Sequence, residues 1–394
     1  MRRFGRSVLV IALFVPVAGT GLIWPQTPGY ADVALARVSS DPFVNTDGQH
    51  RSMVGPDIAL GGNLSIFTVF QAGRSVNGGS PGVGFAGTHD KGAHWSTGFL
   101  DGITVHKGGG GYTGVSDVAL AFRINYNRWL FAALATGGPG GSSALLISVT
   151  WSDGLNWRGP YTVATGQVAN PWVHCDNWSP SFSQRCYAGY SLGSAGNALR
   201  VHTSIDGGVT WGPARATADG ATGVATRPVI LRSGTVILPY LASNGQLRAT
   251  RSIDGGVTWT SSTPVATVQR HTVAGGLRTS TLPSLQLDNN GTAFLAWSDC
   301  RFRAGCAAND IVLSTTRDGT TWSTPARIAG PMSLSWLPQT TAGRMFADAL
   351  TTVVTYNGNA MVLLPVASAP SGGQYNQAMY APIGGIPLTG GTQR

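Results

Sequence analysis

The sequence predicts an all-β chain closed into a six-bladed propeller of four-stranded antiparallel blades, with seven blades as the alternative. Three observations predict it. A turn built around Asp, Gly and Trp recurs five times. The same succession of short apolar runs and polar turns fills each interval. Finally, 55 glycines and 22 prolines punctuate Val, Ile, Leu and Thr runs that are too short for helices.

The recurring turns run from Thr88 to Trp95, Trp151 to Trp157, Ser204 to Trp211, Ser252 to Trp259 and Thr316 to Trp322. Their aspartates, Asp90, Asp153, Asp206, Asp254 and Asp318, stand 63, 53, 48 and 64 residues apart. Each interval has room for about four strands of five to six residues with their turns. Local physics explains the composition of the turn: the carboxylate accepts backbone N–H groups, Gly supplies a positive φ, and Trp returns the chain to the sheet with a large apolar anchor. These aspartates are read as structural.

Each interval repeats one order: an apolar strand, a polar turn, a second strand, a longer loop, a third strand running into the Asp turn, and a fourth after its Trp. Residues 282–322 show it most plainly. Leu282 to Leu287 is followed by the turn Asp288 to Gly291, the strand Thr292 to Trp297, a cysteine loop, Ile311 to Thr315 and the Asp turn. Equivalent units open near Asp57, Asp117, Trp172 and Pro228, and a sixth, without an Asp turn, opens near Ala349. The segment Val33 to Val38 is expected to close the ring by pairing with the last blade, so that no sheet edge stays open.

The N-terminus carries Arg2, Arg3 and Arg6, then the apolar run Val8 to Val17, then small residues at Ala34-Leu35-Ala36 with an earlier cleavage option at Ala31. That order predicts a signal peptide over 1–36 and one propeller domain over 37–394. The alternative is an uncleaved anchor, since Val8 to Trp24 is almost long enough to span a bilayer. Export makes the chain extracellular, where an even number of cysteines at short spacings reads as disulfides: Cys175 with Cys186 and Cys300 with Cys306. The spacings are not those of structural zinc sites. No metal and no cofactor is expected.

The formal charge is +9, and Lys91 and Lys107 are the only lysines among 26 basic residues. The arginines are scattered singly rather than in runs, which argues against a nucleic-acid partner; an anionic glycan, or life in acidic surroundings, fits the charge as well. A monomer is expected.

The five Asp turns, six sheet units and export signal resemble the sialidase (neuraminidase) superfamily, known for its BNR or Asp-box repeats, across roughly residues 41–383. The resemblance implies an extracellular glycoside hydrolase acting on carbohydrate. In such a blade the first strand lines the central channel. The links entering it share a face with the loops between strands two and three, opposite the Asp turns, and the ligand site is the funnel where those loops converge. Sialidases hold the substrate carboxylate with arginines, whose planar fork donates two parallel hydrogen bonds. Arg51, Arg227, Arg278 and Arg344 precede or open predicted innermost strands and are the candidates for substrate binding. Arg301 and Arg303, between Cys300 and Cys306, are expected on the rim, with Arg301 a further candidate for substrate binding.

The candidate acids are Asp57 and Asp117, at matching positions in Gly55 to Ala59 and Val115 to Ala119, together with Asp299, Asp310 and Asp348. Two of them would supply the carboxyl pair of a glycosidase. Tyr112 or Tyr375 is the candidate nucleophile. The pattern departs from the family in one decisive respect: all 17 acidic residues are Asp, so the glutamate that activates the sialidase tyrosine has no counterpart. An Asp then takes its place, or two aspartates perform an inverting hydrolysis. The loop Gln71 to Gly82, where a sialidase would carry its catalytic aspartate, holds Arg74 and no acid. Two other readings stand beside the hydrolase: a non-catalytic propeller that binds glycan or protein, and a polysaccharide lyase with His50 or Tyr112 as base.

Overall fold

The computed structural model describes residues 35–387 apart from 49, 63–64, 76–77, 152–154, 184, 273–282, 288–290, 330–338, 341–342, 345–350, 355–358, 372–373 and 385; from 328 onward, side chains are described only for 378–381 and 383–384. Asp153 of the second Asp turn, Arg278 and Asp348 lie outside the described residues, as does the Arg344 side chain.

Strand β1 (Leu35–Arg37) precedes the first blade, which is β2 (Met53–Leu60), β3 (Ile66–Ala72), β4 (Gly82–Thr88) and β5 (Ser96–Phe99). The second is β6 (Gly114–Arg123), β7 (Arg128–Thr136), β8 (Ser143–Trp151) and β9 (Trp157–Gly166). The third has β10 (Val168–Cys175), β11 (Cys186–Leu192) and β12 (Ala198–Ser204), with bridges from Val201 to Arg215 and from Ala198 to Thr222 in place of a fourth strand. In the fourth, the innermost strand is broken into β13 (Gly223–Ala225) and β14 (Val229–Ile230), beside β15 (Val236–Ala242), β16 (Gln246–Ser252) and β17 (Thr263–Thr267). The fifth is β18 (Ser284–Leu287), β19 (Ala293–Asp299), β20 (Asp310–Thr316) and β21 (Ala326–Ala329). A short hairpin, β22 (Gln339–Thr340) with β23 (Gly343–Arg344), precedes the last sheet of β24 (Thr351–Val354), β25 (Asn359–Ser371), β26 (Gln374–Pro382) and β27 (Ile386–Pro387).

Every strand pair is antiparallel, and in each blade hydrogen-bonded neighbours follow chain order. Blades one and two meet along β2 and β6, two and three along β6 and β10, and the last sheet packs β24 and β25 against β2. The expected closure is present: Leu35, Ala36 and Arg37 pair with Pro382, Ala381 and Tyr380, which puts β1 on the outer edge of the last sheet. Leu35 and Ala36, on the N-terminal side of the 36/37 boundary read from the sequence, thus pair with the last sheet.

The core is a series of apolar layers between blades. Phe67, Phe85, Phe122, Trp129 and Phe131 fill the first interface, with Phe122 and Trp129 rings 4.5 Å apart and Phe67 and Trp129 rings 5.1 Å apart. A fully buried ring of this size contributes about 1.5–3 kcal/mol. Gly189 admits Trp172 to the third blade, since a Cβ there would lie 2.3 Å from the Trp ring.

The Asp turns join strands three and four, as their composition predicts. Asp206 Oδ1 accepts from Val209 N–H at 3.1 Å and Thr210 N–H at 3.0 Å, and Oδ2 accepts from the Thr210 hydroxyl at 2.6 Å. Asp90, Asp254 and Asp318 repeat the pattern. Burial opposes charge on Asp206, Asp254 and Asp318, yet these donors outweigh it and hold the carboxyls below the usual range. An inter-blade tie accompanies three turns. Arg128 donates to the Asp206 and Gly207 carbonyls at 2.7 and 3.1 Å, Arg185 to those of Asp254 and Gly255, and Arg251 to Asp318 at 2.9 Å.

Candidate functional site

The innermost strands carry a shared irregularity near their starts. In β2 the register slips between Val54 and Asp57, in β6 between Ser116 and Ala119, and in β10 between Ala169 and Trp172. Each slip holds one extra residue and opens on a positive φ: 59° at Gly55, 45° at Asp117 and 51° at Asn170. In the fourth blade residues 226–228 oppose two residues of β15, between the Ala225–Tyr240 and Val229–Ile237 pairs. These are β-bulges, which bend the strand and re-aim a side chain. Pro56, Pro171 and Pro228 sit in three of them, where a missing N–H costs no ladder bond.

The bulges correct one reading of the sequence. Asp57 and Asp117 are not equivalent. Asp117 is itself the bulge residue and matches Gly55 and Asn170, whereas Asp57 lies two residues further on, in phase with Ala119 and Trp172. The mismatch arises because the extra residue falls before Asp57 in one strand and at Asp117 in the other.

The ring does bring Asp57 and Arg227 together across 170 residues of sequence: the Arg227 guanidinium donates to Asp57 Oδ2. The same oxygen accepts the Leu120 N–H of the next blade at 2.7 Å, and Oδ1 accepts Ile58 N–H at 2.9 Å. Asp57 thus joins blades one, two and four. Arg227 keeps a third of its side-chain surface exposed, so part of its fork faces solvent. Asp117, at the bulge of the neighbouring innermost strand, is exposed.

Other candidates are placed differently. Asp299 is fully buried and accepts from Trp297 Nε1 at 2.9 Å, Arg301 N–H at 2.9 Å and the Arg301 guanidinium at 2.6 Å. Burial works against its charge, but these donors prevail and keep its carboxyl below the ordinary range. Asp310 is equally buried and holds Arg303 through two oxygens, at 3.0 and 2.6 Å. Both acids are therefore anchors of the cysteine loop, closed to substrate, and Arg301 is engaged by its own carboxylate. Arg51 is exposed with φ 59°, its backbone N–H donating to Asp41. His50 Nδ1 lies 3.7 Å from the Asp41 carboxylate. Tyr112, half-buried in the link entering β6, packs against the first core layer. Arg344 lies in β23, a hairpin strand set apart from the sheets. The disulfides Cys175–Cys186 and Cys300–Cys306 pair as expected.

Sequence reading missed Asn170 and the three inter-blade arginines. The recurrence of X-Pro at the openings of innermost strands was the available signal for the bulges; a guanidinium bound to backbone carbonyls leaves no partner pattern to find.

A closed set of antiparallel sheets, with Asp turns joining the outer strands, is the fold of the sialidases. NanB sialidase of Streptococcus pneumoniae superposes with a TM-score of 0.54 at 12% identity, over 90% of this chain and 70% of that one. The intramolecular trans-sialidase of Ruminococcus gnavus gives 0.54 at 12%, over 88% and 97%. The Trypanosoma rangeli sialidase, solved with sialic acid, gives 0.52 at 11%, over 91% and 59%. By sequence, no curated protein matches the chain. Residues 129–368 match the BNR repeat-like domain, and the chain belongs to that family.

Proposed function

We propose that the protein is an exported, sialidase-like glycoside hydrolase that takes an acidic or oxygen-rich sugar at the channel mouth. The observation that carries this reading is the Asp57–Arg227 pair, with exposed Asp117 at the bulge of the next innermost strand. Asp57 orients the guanidinium, and the outward N–H groups of Arg227 bind the carboxylate or hydroxyls of the sugar. Asp117 is the general acid that protonates the leaving oxygen. The two disulfides suit an exported protein, and cleavage near Ala31 would keep the ring-closing strand intact.

The test is a panel of fluorogenic sialosides, neutral aryl glycosides and polyuronides offered to the mature chain. Liberated fluorophore is expected from at least one glycoside, with Asp117→Asn lowering turnover by 100-fold or more, on the order of what a general acid contributes. A loss below tenfold removes Asp117 from the chemistry, and new absorbance at 235 nm makes the protein a lyase. The absence of any Glu favours one second reading: a propeller that binds the same glycans without cleaving them. Retention on a glycan array with no turnover would select it.

A further inference from the structure

Large apolar side chains stand exposed on the side of the ring that bears the Asp turns. Tyr126 is on the turn between β6 and β7 and Trp178 on that between β10 and β11, while Ile205 and Ile253 hold the same place in the Asp turns of blades three and four. They are 46%, 52%, 69% and 63% exposed. Hydrogen bonds between blades bring these tips into one belt. Asn177, beside Trp178, accepts the Ile124 N–H at 2.9 Å and donates to the Phe122 carbonyl at 2.7 Å. The Arg128 and Arg185 ties carry the belt on to the turns of Ile205 and Ile253. Each isoleucine sits on a locked turn: Ser204 donates to Asp206 and accepts the Gly208 N–H, both at 2.8 Å, and Ser252 does the same with Asp254 and Gly256. The same side continues to the last sheet. There β26 takes the place of a third strand and ends at Pro382, the partner of Leu35, so β1 starts on the Asp-turn side, where Leu35 and Ile383 are both exposed.

Apolar residues scattered singly over a surface are ordinary. Tips repeated at equivalent turns of adjacent blades, beside Tyr and Trp, have instead the composition of a membrane-interface belt. We infer that the Asp-turn side docks on an anionic lipid surface, with the isoleucine tips at the boundary between headgroups and acyl chains. Charge selects this occupant. Arg128, Arg158, Arg185 and Arg251 stand beside the tips. The carboxylates among the described residues there, Asp176, Asp206 and Asp254, are filled by donors of their own loops. The chain carries +9 overall, which draws it to acidic headgroups and sets two copies of it against each other. The position of β1 agrees. Leu35 lies eleven residues after Trp24, the end of the apolar run, a reach of at most about 40 Å. An uncleaved anchor would hold this side near the bilayer, and after cleavage the belt alone does so.

The experiment is co-sedimentation of the mature chain, from Asp32 onward, with vesicles of phosphatidylglycerol and phosphatidylcholine in equal parts, or of phosphatidylcholine alone. Partition onto the anionic vesicles is expected to be at least tenfold the stronger, and to weaken as salt is raised. Ile205→Ser combined with Ile253→Ser is expected to lower it about tenfold or more, since two apolar insertions are lost. Trp178→Ala, in a different loop, is expected to lose several-fold by itself. Val44→Ser with Val105→Ser, exposed valines on the links entering β2 and β6 at the opposite side, leaves binding unchanged. Far-UV circular dichroism confirms the fold of each variant. A wild type that binds neither vesicle, or isoleucine and tryptophan variants that bind like wild type, overturns the inference. So does a concentration-dependent dimer that the isoleucine variant abolishes, which would make a second copy the occupant. None of these readouts depends on turnover of a glycan.

Discussion

Arg303→Ala tests whether the acids of the cysteine loop are anchors. The Asp310 side chain has no exposed surface, while that of Arg303 is 24% exposed. Removing one partner of a buried pair costs about 3–5 kcal/mol, because the remaining charge is stranded. Water reaching Arg303 places this pair at the lower end, about 3 kcal/mol. With an unfolding entropy of about 0.7 kcal/mol/K for a folded unit of about 350 residues, the melting temperature drops about 4 °C. Asp310→Ala costs a similar amount, and the double variant recovers about 2 kcal/mol relative to the sum, since no charge is left unpaired. Urea denaturation followed by tryptophan fluorescence measures the cycle. A cost below 1 kcal/mol for Arg303→Ala, or a double variant equal to the sum, refutes the assignment of Asp310 as an anchor.

Arg128 supplies two hydrogen bonds to the next blade's Asp turn and stacks on Trp151, 4.1 Å from the ring centroid. Arg128→Ala is expected to cost about 2–3 kcal/mol, with Arg128→Lys recovering only part; a lysine variant as stable as wild type contradicts the fork-like tie. Removing Leu35–Arg37 bares the edge of β26, so the truncated chain is expected to melt lower and self-associate, read by light scattering; an unchanged melt contradicts the closure. Stability is expected to follow pH in two steps. Burial disfavours the charged form of His202 and lowers its pKa against the opposing pull of the Gly212 carbonyl, so its contribution falls away as pH drops below about 6.5. Carboxyls held low in the folded state, Asp206, Asp254 and Asp318 among them, contribute stability above about pH 4 that is lost only below it. A shallow loss of stability setting in below about pH 6.5 and absent in His202→Gln is expected, with acid unfolding confined to below about pH 4; a His202→Gln variant that keeps the loss contradicts the assignment.

What the sequence made legible was local. An Asp turn is written within eight residues, so the turns announced the sheet units, and disulfides closing short loops follow from spacing alone. The N-terminal strand was legible because a closed ring must account for its edges. What escaped was anything joining one blade to another. Nothing in Gly55-Pro56-Asp57 names Arg227 as partner, and Asp299 reads the same whether sealed beneath Arg301 or open to a ligand. The apparent match of Asp57 with Asp117 failed because a one-residue bulge shifts side-chain phase without changing composition. The arginines were equally ambiguous: three that looked like scattered surface charge bind backbone carbonyls across blade interfaces.

Glycan binding by the Asp57–Arg227 unit is the point on which the functional account turns, and it can be measured on an array of sialylated, uronate-bearing and neutral oligosaccharides. Asp57→Asn and Arg227→Ala are each expected to weaken acidic-glycan binding at least tenfold, with the double variant no weaker than the poorer single, because the two side chains act as one. Single variants that bind like wild type would contradict it.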